Sequence, residues 1–318
     1  MIRLAVRVPA DEADVVLAEL IELAPAGVEQ VDLDDGRVEY AVYGPPGELP
    51  SLPDLRALSA GAAVEISTSE IAEDWHERWK QFHKPVLIPA PPAPPRSGRG
   101  AGAARNPSQP EVPSIRVRPP WEPAARHTVP GEACLELVVD PGQAFGTGGH
   151  ASTRLCLGLL LELFAEQGSG LAALDVGTGS GVLAIAAARL GFDPVLGLDN
   201  ERESVEAAAE NAAVNEVELR TARFDLRREQ LPWLGAGAPG AEAPRAGQTL
   251  VLANLLRPLL IELCAALASA PAALIAGGLL TGELDELASV FAEAHGMIER
   301  RRRTEGDWGA LWMAAGPS

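Results

Sequence analysis

The first seventy residues show short alternations of apolar and polar residues that predict β-strands, separated by two stretches with apolar residues at helical spacing. The sequence Asp34-Asp35-Gly36 between two of these strands is a hairpin signal. The predicted elements are strand 2–8, helix 11–23, strand 28–33, strand 37–42, helix 53–60 and strand 63–68. This βαββαβ order is typical of a small ferredoxin-like α+β domain.

From residue 171 onward the pattern changes to apolar strands that alternate with helices. Strands are predicted at 171–176, 195–199, 218–224, 249–253 and 272–277, and helices at 181–190, 201–214, 258–268 and 284–295. One further helix, 154–164, is predicted just before this region. Uninterrupted apolar strands separated by helices favour a parallel sheet that is covered on both faces. Two last strands, 297–303 and 308–314, are expected to close it as a hairpin. The predicted fold class is α/β, with a Rossmann-like, mostly parallel sheet, plus the small N-terminal α+β (ferredoxin-like) domain.

A helix is predicted over residues 69–83, between these two patterns, with Ser69 as its N-cap. Trp75, Trp79 and Phe82 recur at i, i+4 and i+7 and therefore share one face. We interpret this face as packing between two domains; a surface that recognises a partner is the alternative.

Two stretches rich in proline, glycine and alanine, 89–113 and 235–247, are expected to form loops because they lack the side chains that fill a core. The first of them also carries several arginines. The predicted organisation is a small domain 1–69, a linker helix 70–88, a low-complexity loop 89–113 and a larger α/β domain 114–318.

Composition and charge narrow the classes of function. The 318 residues include 26 Lys+Arg and 44 Asp+Glu, a formal charge of −18. This charge argues against a nucleic-acid backbone as the main partner and permits a basic protein partner, although acidity also serves solubility alone. No apolar run reaches the roughly 20 residues of a membrane span, and the first residues do not form a signal peptide, so we expect a cytoplasmic protein without a membrane partner. The cysteines and histidines are scattered without metal-site spacing: Cys134, Cys156, Cys264 and five histidines.

A glycine-rich turn is the strongest local signal for a ligand. The run DVGTGSG, from Asp175 to Gly181, follows a predicted strand and opens a helix, and its glycines allow a ligand to approach the backbone closely. The dinucleotide pattern GxGxxG would require glycine at position 182, where Val182 stands. The observed GxGxG, with an acid two residues before Gly177, is the version used by enzymes that bind S-adenosylmethionine (SAM).

Two polar side chains stand at the ends of other strands. Asp199 lies twenty-two residues after Gly177, near the spacing at which an acid accepts hydrogen bonds from ribose hydroxyls. Asn254 follows strand 249–253, and ligands of open α/β sheets bind outside the carboxyl ends of strands. Its amide offers an acceptor and a donor that suit an amine or a cofactor. For both residues, a helix cap is the alternative.

The segment DPGQAFGTGGHAST, from Asp140 to Thr153, holds four glycines and one phenylalanine ahead of a predicted helix. A loop of this kind is suited to fold over a bound cofactor and exclude water. Ser152 or Thr153 either caps that helix or presents its hydroxyl group to the cofactor.

With these motifs in place, the chain resembles the bacterial ribosomal protein L11 methyltransferase family. The run DPGQAFGTGGHASTRLCL is similar to that family's loop signature, and LDVGTGSGVLAIAAARLG, the acid of GLD and the ANL at a strand end follow in the same order and spacing. EDWHERWKQFHKP and EGDWGALWMAAG also resemble family segments. The resemblance covers about 70–86 and 115–315 and is architectural over 1–69. Departures are Ser152 for a usual threonine, Asn200 after the acid, and the insertion 89–113.

The resemblance implies a SAM-dependent protein N-methyltransferase that acts on lysine side chains and an N-terminal amine of ribosomal protein L11, a basic protein. It also implies that the N-terminal domain recognises the substrate and that the linker helix lets this domain reorient. The implied cofactor-binding residues are Thr153, Gly177, Asp199 and Asn254, with Phe145, Gly146 and Thr147 on the same loop and Asp175 and Gly179 in the glycine motif. Asn254 is the implied catalytic residue, which orients the acceptor amine; no general base is assigned.

Other functions remain as alternatives. The first is the same chemistry on a lysine of another protein or on a small amine. Val182 disfavours a dehydrogenase, and the intact cofactor motifs disfavour a SAM-binding regulator without activity. An adenine-directed nucleic-acid methyltransferase would usually have Asn-Pro-Pro-aromatic, whereas Asn254 is followed by Leu255 and Leu256.

Overall fold

The computed structural model describes residues 2–9, 16, 29–33, 36–44, 65–70, 83–92, 112–124, 133–141, 148–233 and 244–316. The chain divides into two compact units, Met1–Phe82 and His83–Ser318. Over the described residues no helix is long and apolar enough to cross a membrane.

The N-terminal unit contains a four-stranded antiparallel sheet. Its strands are β1 (Ile2–Pro9), β2 (Glu29–Asp32), β3 (Arg37–Gly44) and β4 (Glu65–Glu70), in the order β2-β3-β1-β4. This order and these directions are those of a ferredoxin-like sheet, and the predicted β2–β3 hairpin is confirmed. The predicted helices 11–23 and 53–60 lie outside the described residues, apart from Val16, which is helical and buried.

Two expectations for the segment after this sheet are wrong. Ser69 is not a helix N-cap, because the ladder between β1 and β4 continues to Glu70 and pairs Ser69 with Arg3. The linker helix does not reach residue 88, because 83–85 are not helical and Val86–Ile88 form a strand. The aromatic stripe at 75, 79 and 82 lies outside the described residues.

A small three-stranded sheet in the second unit was not predicted. It consists of β5 (Val86–Ile88), β6 (Ser114–Arg118) and β7 (Cys134–Val138), in the order β5-β6-β7. β5 and β6 run antiparallel, and β6 and β7 run parallel. Their inward side chains are fully or almost fully buried and belong to the main core: Ile88, Ile115, Val117 and Leu137.

The main sheet has seven strands and confirms the predicted Rossmann-like architecture. Its strands are β8 (Ala172–Val176), β9 (Val195–Asp199), β10 (Arg220–Arg223), β11 (Thr249–Asn254), β12 (Ala273–Leu280), β13 (Met297–Glu305) and β14 (Trp308–Ala315). The order is β10-β9-β8-β11-β12-β14-β13. The first five strands of this order are parallel, and β14 and β13 close the edge as the predicted antiparallel hairpin.

Helices cover both faces of this sheet. They are α1 (Ala151–Gln167), α2 (Val182–Arg189), α3 (Arg202–Val214), α4 (Arg257–Ala266) and α5 (Leu284–His295). Alternate residues of β11 enter two separate cores, because successive side chains of a strand point to opposite faces. Leu250 and Leu252 pack with α1 and α2, whereas Val251 and Ala253 pack with α4 and α5.

Candidate functional site

The sheet order places the candidate residues at neighbouring strand ends. β8 lies between β9 and β11, so the chain leaves β8 in one direction and later returns to its other side. Such a switch point opens a crevice outside the carboxyl ends of the strands. The glycine turn follows β8, Asp199 ends β9 and Asn254 ends β11. The three predicted signals therefore come together at one edge of the sheet.

The glycine turn requires glycine at its key positions. Gly177, Gly179 and Gly181 have φ angles of 74°, 52° and 81°, in the left-handed region that other residues adopt at a cost. A Cβ atom on Gly177 would overlap Leu255 Cδ2, and one on Gly181 would lie 3.1 Å from Ala208 Cα. Glycine at these two positions therefore lets the turn pack closely against Leu255 and α3.

Asp175 supports this turn from below. Its side chain is 1% exposed, and Oδ2 accepts hydrogen bonds from Thr178 Oγ1 at 2.8 Å and from the Ala184 N–H at 3.2 Å. Oδ1 is buried without a hydrogen-bond partner in the described part of the chain. Burial, with a smaller contribution from the charge of Asp199, raises the pKa of Asp175 to about 7.

Asp199 connects the end of β9 to the turn. Its Oδ2 accepts a hydrogen bond from the Gly179 N–H at 2.9 Å, and its Oδ1 accepts one from the Glu201 N–H at 3.0 Å. A carboxylate has about four acceptor positions, so this partly exposed group retains capacity for further donors. The N-cap of α3 is Glu201, so Asp199 is not the cap that the alternative interpretation expected.

Asn254 and Thr153 are brought together although they are 101 residues apart. Asn254 Nδ2 donates to Thr153 Oγ1 at 3.3 Å, while Asn254 Oδ1 is buried and has no partner among the described residues. Gly277, on the neighbouring strand β12, leaves room here: a Cβ atom would lie 3.1 Å from Asn254 Oδ1 and would overlap Cys156 Sγ. The N-cap of α4 is Leu256, so the interpretation of Asn254 as a helix cap is wrong.

The helix that carries Thr153 is capped by a residue that the sequence analysis did not select. His150 is the N-cap of α1, and its Nδ1 accepts from the Ser152 N–H at 3.3 Å and lies 2.8 Å from Ser152 Oγ. Ser152 and Thr153 are inside the helix, so neither is the cap. The His150 ring packs edge-on against Trp308, with ring centres 4.6 Å apart. Burial, followed by the charge of Arg154, lowers the pKa of His150, which favours the neutral ring that can accept a hydrogen bond.

Two asparagines at the end of α3 were also missed: Asn211 in its last turn and Asn215 as its C-cap. Asn211 and Asn215 are each 4% exposed and stand one helical turn apart. Their only sequence signal is a pair of polar residues at i and i+4 in an alanine-rich helix. Phe145, Gly146 and Thr147, expected on the same loop as Thr153, lie outside the described residues.

The thiols and the other titratable groups show no second centre in the described part of the chain. Cys156 and Cys264 are buried, Cys134 is partly exposed, and none of the three forms a disulfide. Among the described residues, no group of three or more His, Cys, Asp or Glu side chains is placed to hold a metal ion.

Comparison with known proteins identifies the family. The profile of the ribosomal protein L11 methyltransferase (PrmA) family matches residues 112–315, which is more than half of the chain. The chain belongs to this family. It is similar to a ribosomal protein L11 methyltransferase of Sorangium cellulosum, with 32% identity over 296 residues that span 89% of this chain and 80% of that protein. The corresponding protein of Chloroflexus aurantiacus is 37% identical, over 77% of this chain and 70% of that protein.

A solved structure supports the same assignment. The structure of ribosomal protein L11 methylase from Lactobacillus delbrueckii subsp. bulgaricus has a TM-score of 0.51 and 28% identity to this chain. The match covers 63% of this chain and 94% of that chain. The seven-stranded order found here is accordingly that of a class I methyltransferase domain, whose methyl donor is SAM.

Proposed function

We propose that this chain transfers methyl groups from SAM to lysine side chains and to the N-terminal amino group of ribosomal protein L11. Family membership supports the reaction, and the crevice at the switch point supports its location. The observation that carries the proposal is the buried Oδ1 of Asn254, which has no hydrogen-bond partner in the described part of the chain, because a buried acceptor without a donor is costly unless a ligand supplies one. The reaction would take place in the cytoplasm, without nucleic acid as a direct partner.

The residues of the crevice fit SAM. The glycine turn from Gly177 to Gly181 follows β8 at the switch point, where the nucleoside would bind, and Asp199 has acceptor positions left for ribose hydroxyls. Asn254 and Thr153 would hold the amino acid part of SAM or the incoming amine, since one supplies an acceptor and the other a hydroxyl. Asp175 would contribute by keeping the turn in shape rather than by direct contact, because its side chain is 1% exposed.

SAM, when bound, supplies a methyl group on an already activated sulfonium. The protein therefore has little acid–base chemistry to perform, and its task is to position the acceptor. Asn254 Oδ1 can accept a hydrogen bond from the acceptor N–H and so direct the nitrogen lone pair. The acceptor must be neutral, whereas the ordinary pKa of lysine is about 10.4. The adjoining Leu255 and Leu256 provide apolar surroundings that favour the neutral amine.

The direct test is a transfer assay with labelled SAM, the purified chain and purified L11 of the same organism. We expect label in L11, and mass spectrometry should place it on lysine side chains and the N-terminus. A lysate from cells that lack the L11 gene serves as the matched control and should show no labelled band. Label in another band alone would keep the methyltransferase and overturn L11 as the substrate.

Replacement of Asp199 by alanine should weaken SAM binding by about 1–3 kcal/mol, because hydrogen bonds to a charged acceptor are lost. Calorimetric titration with SAM measures the change. Asp199→Asn is the matched control, since it keeps one acceptor oxygen and the side-chain volume, and it should lose less affinity. An Asp199→Ala protein with the affinity of wild type would exclude Asp199 as the ribose ligand.

The distribution of charge suggests how the substrate is attracted. Residues 89–130 carry six arginines and two acids, so the rest of the chain carries about −22. A basic protein is drawn to such a surface, more readily when free than when bound to RNA. We expect kcat/KM for L11 to fall roughly tenfold between 0.05 and 0.3 M salt, while kcat stays nearly constant. A kcat/KM that does not depend on salt would leave solubility as the role of the acidity.

A further inference from the structure

We infer that Asn211 is a positioning residue for the SAM site, because its side chain ties the glycine turn to the segment that begins the Asp140–Thr153 loop. Asn211 Nδ2 donates to the Ser180 carbonyl at 2.9 Å, and Asn211 Oδ1 accepts from the Asp140 N–H at 3.0 Å. One amide group therefore bridges the glycine turn, which the proposed function assigns to SAM, and Asp140, where the segment leading to Thr153 begins. This inference rests on that proposed function.

The side chains of Asn211 and Asn215 bond backbone groups at and just after the end of β7. Among the described strands β7 pairs with β6 alone, so the backbone groups on its opposite side require other partners. Asn215 satisfies Val138, since its Oδ1 accepts from the Val138 N–H at 2.9 Å and its Nδ2 donates to the Val138 carbonyl at 2.6 Å. Asn211, one turn earlier on α3, accepts from the Asp140 N–H but does not donate to the Asp140 carbonyl. The two amides thus extend the edge of β7 onto the helix.

Only Asn211 also reaches the glycine turn. Its Nδ2 binds the carbonyl of Ser180, between Gly179 and Gly181, whereas Asn215 Nδ2 donates to Val138 and to the carbonyl of Asn211 itself. Ala208 lies directly against Gly181, so α3 is already packed on the turn where Asn211 makes its bond. Because Asn211 is 4% exposed, water cannot easily replace its two hydrogen bonds. The hydrogen bonds therefore distinguish Asn211, which contacts the glycine turn, from Asn215, which contacts the β7 backbone and not the turn.

This difference gives a matched pair of variants. Asn211→Ala should raise the dissociation constant of SAM roughly tenfold, because the turn loses its link to Asp140. Asn215→Ala removes three side-chain hydrogen bonds, one more than Asn211→Ala, from an equally buried position, and we expect at least as large a fall in melting temperature but less than about a twofold change in SAM affinity. Calorimetric titration measures both. Asn211→Asp keeps the acceptor for Asp140 but places a carboxylate oxygen against the Ser180 carbonyl, and it should weaken SAM binding at least as much as alanine does.

A second measurement uses hydrogen exchange, which does not depend on activity. In Asn211→Ala, peptides covering 177–185 and 138–141 should both exchange faster, whereas in Asn215→Ala only the second should. In the wild-type chain, SAM should slow exchange in both peptides together. Equal loss of SAM affinity in the two alanine variants, or wild-type affinity in Asn211→Ala, would overturn the positioning role and leave the proposed function intact. A wild-type chain that does not bind SAM would instead overturn the proposed function itself.

Discussion

Replacement of Asn254 by alanine should lower the rate of methyl transfer to L11 by about 100-fold or more at saturating SAM, with little change in stability. The side chain places an acceptor, Oδ1, beside Thr153 at the end of β11; no described residue donates to this oxygen, so it can orient the incoming amine. Removing one preorganised polar group from a reaction centre typically costs about 10²–10³ in rate. Its loss should affect the chemical step most, because the acceptor lone pair must point along the line of transfer.

Single-turnover kinetics separate this effect from binding. Preformed complex of the variant and SAM is mixed with L11, and the transfer rate is compared with that of wild type. Asn254→Asp is the matched control, because it keeps an oxygen acceptor of the same reach but loses the donor to Thr153. Its transfer rate should lie between that of wild type and that of Asn254→Ala. A single-turnover rate for Asn254→Ala within about threefold of wild type would remove Asn254 from the catalytic role, because positioned groups contribute far more than that.

The candidate residues whose place in the fold could be predicted are those whose signals are local. Gly177 and Gly179 form part of a continuous glycine run, and Asp199 and Asn254 each directly follow a strong apolar strand. In a parallel sheet, strand ends of this kind meet at one edge, so a correct reading of the strands was sufficient to bring the side chains together. The ferredoxin-like strand order followed in the same way from alternation and one hairpin signal.

The features that the sequence did not reveal depend on partners far along the chain. β5 has only three residues, and it pairs with β6 across the proline-rich insertion, so no local pattern indicates the ladder. Ser69 has the composition of an N-cap, but the pairing of β4 with β1 uses its backbone first. His150 precedes two hydroxyl residues that are better caps by preference, yet the neutral ring is held beside Trp308 and accepts the Ser152 N–H.

The second large effect concerns the buried carboxyl group under the glycine turn. The pKa of Asp175 is raised from an ordinary 3.8 to about 7, mainly by burial. Below about pH 4 the group is protonated in both the folded and the unfolded chain and contributes no pH dependence. Between pH 4 and 7 the unfolded chain loses the proton while the folded chain keeps it, so the free energy of unfolding falls as the pH rises. Each pH unit in this window removes about 1.4 kcal/mol, which gives a total of ~4 kcal/mol.

Asp175→Asn makes this contribution measurable, because the amide does not titrate and its oxygen can still accept from Thr178 and Ala184. Any cost of burying the amide N–H groups is the same at every pH. Urea unfolding of both proteins from pH 4.5 to 8 should show the variant gaining stability relative to wild type as the pH rises, by ~3 kcal/mol over this range. Asp199→Asn should narrow the pH range of this change slightly, because the charge of Asp199 contributes to the raised pKa of Asp175. A constant difference between Asp175→Asn and wild type would mean that Asp175 is already ionised in the folded chain at pH 4.5.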